Sequence, residues 1–158
     1  MKDDFEQEAM IDMPSGTRVR QLSVFLQNEP GALLALVRLL RDHRISVLGL
    51  SLQDTTELNL VRLVLTDPDS AQTLFIEKGI PHASLDVTVV ELEESGRDLD
   101  QCLLALLAEG INVRFMYPLL ARPGLHPLVA IQGHDTERAS EALLRAGFKV
   151  LVQEDLSR

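Results

Sequence analysis

The sequence predicts an α+β protein built from two tandem βαββαβ units with antiparallel sheets. Three observations carry that reading. Strand-like and helix-like periods follow one another as β-α-β-β-α-β within about 70 residues, the split βαβ arrangement of ferredoxin-like folds. The pattern then recurs. Ile45-Ser46-Val47 matches Ile111-Asn112-Val113 at an offset of 66, which also pairs Leu33 with Leu99. Asp67, Ala71 and Gly79 match Asp135, Ala139 and Gly147 at an offset of 68. A small change of offset across one hairpin is what a loop insertion between duplicated units produces.

Residues 1–17 read as an acidic extension ending in Pro14-Ser15-Gly16, within which residues 4–10 are compatible with a short helix. From Val19, Leu22, Val24 and Leu26 alternate with Gln21, Ser23 and Gln27, the period of a half-buried strand. Asn28-Glu29-Pro30-Gly31 breaks it. Pro30 suits a first helical position, and Asn28 or Glu29 can cap the helix. Leu33, Leu36, Val37 and Leu40 then recur at helical spacing, with Arg38, Arg41 and Asp42 on the wet side. Residues 45–52 predict a second strand, Asp54-Thr55-Thr56-Glu57 a hairpin, and residues 58–65 a third strand. Asp67-Pro68 is a cap-then-proline helix start, Leu74 and Phe75 its apolar stripe, and Gly79 a left-handed stop. Residues 85–89 close the first unit. In the second unit the first helix ends at Gly110, the hairpin lies near Arg122-Pro123-Gly124, and the last helix stops at Gly147.

These elements predict a first domain over residues 18–86 and a second over residues 87–158. The junction is short. Residues 84–94 must supply the last strand of one unit and the first of the next, and the buried parity shifts from Leu85, Val87 and Val89 to Val90 and Leu92. Either one bent strand serves both sheets or strands are exchanged between the halves.

Composition excludes several function classes. Net charge is −9, and Asp3, Asp4, Glu6, Glu8 and Asp12 against Lys2 place −4 of it in residues 1–17. Such a chain repels phosphate backbones, and no basic stripe offsets this, so no nucleic-acid partner is expected. RNA binding on a ferredoxin-like sheet needs aromatics on the central strands, which here carry Leu22, Val24 and Leu26 or Val61, Leu63 and Leu65. No apolar run approaches the roughly 20 residues needed to span a bilayer. The acidic start lacks the apolar core of a signal peptide, so no membrane partner and a cytoplasmic location are expected. The single cysteine, Cys102, lies in a Leu-rich helical run and reads as a buried, inert thiol. His43, His82, His126 and His134 have no ligand spacing, so neither a metal nor a cofactor is implied. No hydrolase, zinc-protease or Walker-type motif occurs, and no nucleophile has an evident base. The turn after the first strand also lacks the arginine of a phosphate-cradling loop. No catalytic residue is assigned, and an enzyme is not expected.

The run Asn28-Glu29-Pro30-Gly31-Ala32-Leu33 is the feature that narrows function. A helix N-terminus presents free N–H groups and partial positive charge, which attract a carboxylate. Gly31 removes a side chain, so a ligand can approach the backbone, and the Asn28 side-chain carbonyl can accept from an α-ammonium group. The residues alone leave this reading level with a plainer one, in which Pro-Gly only starts the helix. The run resembles the Asp-x-Pro-Gly-x-Leu turn of the ACT family, whose members bind amino acids and regulate metabolic enzymes. Ile45-Ser46-Val47, the Asp54-Thr55 hairpin and Arg145-Ala146-Gly147-Phe148-Lys149-Val150-Leu151 are also similar to family elements. The likeness covers roughly residues 19–152 and is close to stand-alone tandem ACT proteins.

The resemblance implies a regulatory module that binds an amino acid, pairs as a homodimer and modulates a metabolic enzyme. It implies a site made of Asn28, Glu29, Pro30, Gly31, Ala32 and Leu33. To these the second strand of a paired unit would add Leu50 and Ser51, or Met116 and Tyr117. Asn28 departs from the family's Asp, which weakens charge pairing with an ammonium group. Tyr117, the only tyrosine, suits either a ligand contact or a half-buried core position. A second, weaker site at Glu94, Ser95, Gly96 and Arg97 lacks Pro-Gly. There Arg97 either obstructs the approach or holds a carboxylate directly. The alternative function is a ligand-free assembly module using the same sheet edges, since an exposed second strand invites pairing with another chain.

Overall fold

The computed structural model describes residues 16–93 and 97–157, and of residues 97 and 98 the backbone alone. The elements run β1 (Val19–Gln27), α1 (Ala32–Asp42), β2 (Val47–Asp54), β3 (Leu58–Leu65), α2 (Pro68–Lys78) and β4 (His82–Glu91). They continue as α3 (Arg97–Ala108), β5 (Val113–Pro118), β6 (Leu128–Gly133), α4 (Thr136–Arg145), β7 (Val150–Leu151) and a terminal turn of helix, α5 (Gln153–Leu156). The helix expected within residues 4–10 lies outside the described residues. The fold is the expected one, mixed α+β with antiparallel pairing in two tandem βαββαβ units.

One strand joins the two units. Residues 82–87 of β4 pair with β1, while residues 88–91 pair with β6 and Val89 and Val90 also pair with β7. The sheet order is β2-β3-β1-β4-β6-β5 with β7 beside β4, so each unit has the same internal order and shares β4. Of the two junctions the sequence allows, this is the single strand serving both sheets. The expected parity shift is absent, for a physical reason: β4 is covered on both faces over residues 87–90. Val90 and Leu92 join the core under unit two's helices, and Val87 and Val89 join a different core. Leu85, counted with the buried set, is 38% exposed.

That different core explains a second departure. Unit one's helices cover Leu22, Val24, Leu63 and Phe75, and unit two's cover Val90, Cys102, Leu106 and Leu143. A third cluster draws on the sheet faces turned away from the helices and on α5: Val19, Val64, Val89, Tyr117, Leu151 and Leu156. Over its first half β1 is therefore buried on both faces, and Gln21, expected to face water, is fully buried.

At the far edges β2 and β5 meet. Gly49 bridges Leu119 in antiparallel fashion, and the Leu120 N–H donates to the Leu48 carbonyl at 2.7 Å. A Cβ on Gly49 would sit 2.9 Å from Leu119 Cγ, so a missing side chain permits this approach. Gly49→Val should destabilise the chain by about 1–3 kcal/mol through overpacking. Leu119→Ala in the same chain should recover part of that loss in urea denaturation. No recovery would mean the strands do not meet here.

The start of the described chain is tied to α5. The Thr17 N–H and hydroxyl donate to the Glu154 carboxylate at 2.7 to 3.1 Å, and the Gln153 N–H donates to the Thr17 carbonyl. These bonds hold the Glu154 carboxyl below the usual glutamate range. A depressed folded pKa stabilises at neutral pH, and the contribution fades as pH falls through the ordinary carboxylate range and below. The protection of the Thr17 amide, measured against its intrinsic exchange rate at each pH, should therefore fall on acidification below about pH 4. Glu154→Gln should remove that pH dependence, and an unchanged profile would contradict it.

Candidate functional site

The turn after β1 is open to solvent. Asn28, Glu29, Pro30 and Gly31 are exposed, while Ala32 and Leu33 are half-buried, Leu33 against unit one's core. The Glu29 N–H donates to the Gln27 carbonyl at 2.9 Å, and the Ala32 N–H to the Glu29 carbonyl at 3.3 Å. Pro30, expected at the first helical position, lies before the cap. The cap residue is Gly31, with φ at +85°. That left-handed value favours glycine, and space for a Cβ is not the constraint, since nothing lies within 4 Å of one.

No side chain caps α1, contrary to the expectation for Asn28 or Glu29, and its first turn holds no acid. The Asn28 carbonyl instead accepts from Asn59 Nδ2 at 3.5 Å, a long contact across to β3. The turns that lead into α2 and α4 are closed. Asp67 caps α2 by accepting from the Ser70 N–H, Asp135 caps α4 by accepting from the Arg138 N–H, and both helices carry an acid in their first turn. The Ser70 hydroxyl, donating to Asp67 Oδ2 at 2.6 Å, and then the Ser70 N–H hold the Asp67 carboxyl below its usual range. At α1 the positive helix end faces water without such neutralisation, which suits an incoming carboxylate.

The second-strand residues are placed differently from one another. Leu50 packs partly buried against unit one's core and Met116 against unit two's. Ser51 is half-buried and lies opposite Arg62 in register. Tyr117 is buried, and its hydroxyl donates to Gln21 Oε1 at 2.7 Å. Burial pushes the Tyr117 pKa up, with the Arg62 charge opposing. Of the two positions the sequence allowed for Tyr117, the structure has the core one.

Asn28 borders β3 beside the end of β2, whereas β5 meets β2 near Gly49. Those points are about five residues apart along the strand, roughly 16 Å. The turn and unit two's strand residues are therefore not brought together within one chain. Glu94, Ser95 and Gly96 lie outside the described residues, and Arg97 begins α3.

Sequence reasoning missed the contacts between the units. Arg62 stacks over the Phe115 ring at 3.9 Å and donates to Gln53 Oε1 at 3.1 Å. The available signal was Arg62, a charged residue flanked by the apolar Leu60, Val61, Leu63 and Val64 of β3. At the opposite end of unit one's sheet from the turn, a cavity of about 490 Å³ is lined by Arg18, Arg20, Arg44, Asp69 and Glu154. Arg20 is paired with Asp69 and Arg18 lies 3.9 Å from Glu137, so its charges are largely neutralised internally. Burial pushes the Cys102 thiol up to about 11, which keeps it protonated and unreactive at neutral pH. His43 and His82 hold backbone carbonyls through Nδ1, and the described residues contain no cluster of metal-ligating side chains. No described helix is long and apolar enough to cross a membrane.

A family model described as an ACT domain pair matches residues 17–158. No curated protein sequence matches the chain. Among solved structures, a protein from Bacteroides thetaiotaomicron is 24% identical with a TM-score of 0.82, over 90% of this chain and 97% of that one. The ligand-free regulatory subunit of aspartate kinase from Thermus thermophilus is 15% identical with a TM-score of 0.58, over 82% and 92%. The corresponding subunit from Thermus flavus is 16% identical with a TM-score of 0.51, over 83% and 94%. At these identities the likeness establishes the fold.

Proposed function

This chain belongs to the ACT domain pair family, and from that premise we propose that it is a non-catalytic regulatory module that binds an amino acid and modulates a metabolic enzyme. The observation that carries the proposal is the open, uncapped start of α1 behind Asn28-Glu29-Pro30-Gly31. The ligand's α-carboxylate accepts from first-turn N–H groups of α1 beyond Ala32, whose own N–H is held by the Glu29 carbonyl. Its α-ammonium donates to Asn28 Oδ1, whose present partner Asn59 is distant enough to yield. The rest of the site is the second strand of a partner unit, Leu50 and Ser51 of another copy, because unit two's own strand does not reach the turn. Ligand binding favours one pairing of units, and that population shift is what a partner enzyme reads. The solved structures of aspartate kinase regulatory subunits support a regulatory role by fold, without selecting that enzyme as the partner.

Burial of Tyr117 favours a second reading for unit two, a purely structural half that assembles without ligand. Binding at Glu94, Ser95, Gly96 and Arg97 remains the competing proposal for that unit. A thermal-shift screen against the twenty amino acids tests the whole account. Stabilisation by one or a few supports the sensor, and no shift with any of them moves the function to assembly alone.

A further inference from the structure

Helices α1 to α4 stop in the same way. The N–H of the stop residue donates to the carbonyl three residues back, and the next N–H donates to the carbonyl five back. Arg44 and Ile45 do this after α1, Gly79 and Ile80 after α2, Gly110 and Ile111 after α3, and Gly147 and Phe148 after α4. Each stop residue has a left-handed φ, at +59°, +66°, +67° and +89° in turn. Glycine meets that requirement after α2, α3 and α4, and Gly110 is the duplicate of Arg44 at the offset of 66. Arg44 is the one described residue other than glycine with a positive φ. A Cβ is disfavoured in that conformation, so α1 ends on a residue that lowers stability where its counterpart does not.

The side chain placed there lines the cavity of about 490 Å³ between the start of β1, the start of α2 and α5. Arg44 makes no ion pair or side-chain hydrogen bond with another described residue. Of its neighbours, Arg20 is held by Asp69, whereas Arg18 has only Glu137 at 3.9 Å, beyond hydrogen-bond reach. The Thr66 hydroxyl accepts from the Ser46 N–H at 2.9 Å, and its own proton goes to no described acceptor. The acids on the cavity wall are engaged already, Asp67 by Ser70, Asp69 by Arg20 and Glu154 by Thr17. The unspent groups in this cavity are therefore donors.

We propose that this cavity is a second ligand site, which binds the phosphate group of a small phosphate monoester through Arg44, Arg18 and Thr66. Two guanidinium forks and a hydroxyl suit an oxyanion with several acceptor oxygens, whereas one fork satisfies a planar carboxylate. Asp67, Asp69 and Glu154 keep their charge, which limits the ligand to one phosphate and disfavours a di- or triphosphate. The cavity is larger than a phosphate ion and leaves room for a small organic body. It lies at the opposite end of unit one's sheet from the turn at Gly31, so it stands or falls independently of amino-acid binding.

Calorimetric titration of the full chain at constant ionic strength, with inorganic phosphate and glycerol 3-phosphate as probes, tests it. Saturable binding is expected, with a Kd below about 1 mM for the monoester. Arg44→Gly restores the residue that the other stops use. It should weaken binding roughly tenfold or more while raising Tm, the combination expected of a residue kept for a ligand at the expense of stability. Arg18→Gln should also weaken binding, with little change in Tm because its ion pair is long and partly exposed. A Tm that fails to rise in Arg44→Gly would give the arginine a structural role and overturn the inference. Undiminished binding in that variant, or no heat with either probe at about 10 mM, would overturn it as well. So would acetate binding as tightly as phosphate, because the cavity would then be a carboxylate site.

Discussion

Replacing Tyr117 with phenylalanine is expected to destabilise the chain by about 1–3 kcal/mol, the cost of leaving a buried polar group without its partner. Gln21 is fully buried, and its Oε1 accepts the Tyr117 hydroxyl at 2.7 Å. Its Nε2 is occupied by Ser23 Oγ at 3.0 Å. Removing the hydroxyl leaves the Gln21 carbonyl in an apolar cluster that includes Val19, Val64 and Val89. The ring volume is almost unchanged, so no cavity contributes. For a chain of this length each kcal/mol lowers Tm by about 2–4 °C. Urea denaturation gives the free energy, and a double-mutant cycle gives its cause. Gln21→Leu with Tyr117→Phe should cost less than the two single changes added together, because the orphaned carbonyl is then absent. A Tyr117→Phe variant as stable as the parent would mean the hydroxyl serves solvent or a ligand, and unit two's strand would return as a candidate binding surface.

The second large effect concerns Gly31. Gly31→Arg is expected to abolish stabilisation by the amino-acid ligand. A ligand present at 100 times its Kd stabilises by about 2.7 kcal/mol, so roughly 5–11 °C of Tm shift should disappear. Two causes act together. An L-residue at φ +85° is strained by about 1–2 kcal/mol, and the side chain lies across the start of α1. Gly31→Asn separates them, since asparagine tolerates the left-handed region and keeps the turn. The asparagine variant should fold nearly as well as the parent and still bind weakly. Full ligand response in Gly31→Arg would remove the turn from the site.

Most of the fold was legible in local chemistry. Asp67-Pro68 and Asp135 mark helix starts because a carboxylate beside a free N–H is a local interaction, and both cap as expected. Gly79 and Gly147 mark stops because the left-handed region is a property of one residue, and both adopt it. What the sequence did not disclose is what covers a second face. Period two along β1 reads as half-buried whether or not another sheet lies against it, so the sequence alone predicts a solvated Gln21. The same limit applies to β4, where alternation feeds two cores at once and imitates a change of parity. Pro30 suited a first helical position by its fixed φ, yet the left-handed Gly31 intervenes and the helix starts at Ala32. The candidate turn is visible as a motif, whereas the strand of a second copy proposed to complete it would leave no periodic trace in the sequence.

The most direct test of the central proposal is isothermal titration calorimetry of the wild-type full chain with each of the twenty amino acids. The account predicts saturable heat with one or a few of them, at one site per chain, since unit one's turn is the primary site. An absence of binding to every amino acid, in a chain shown to be folded, would contradict it.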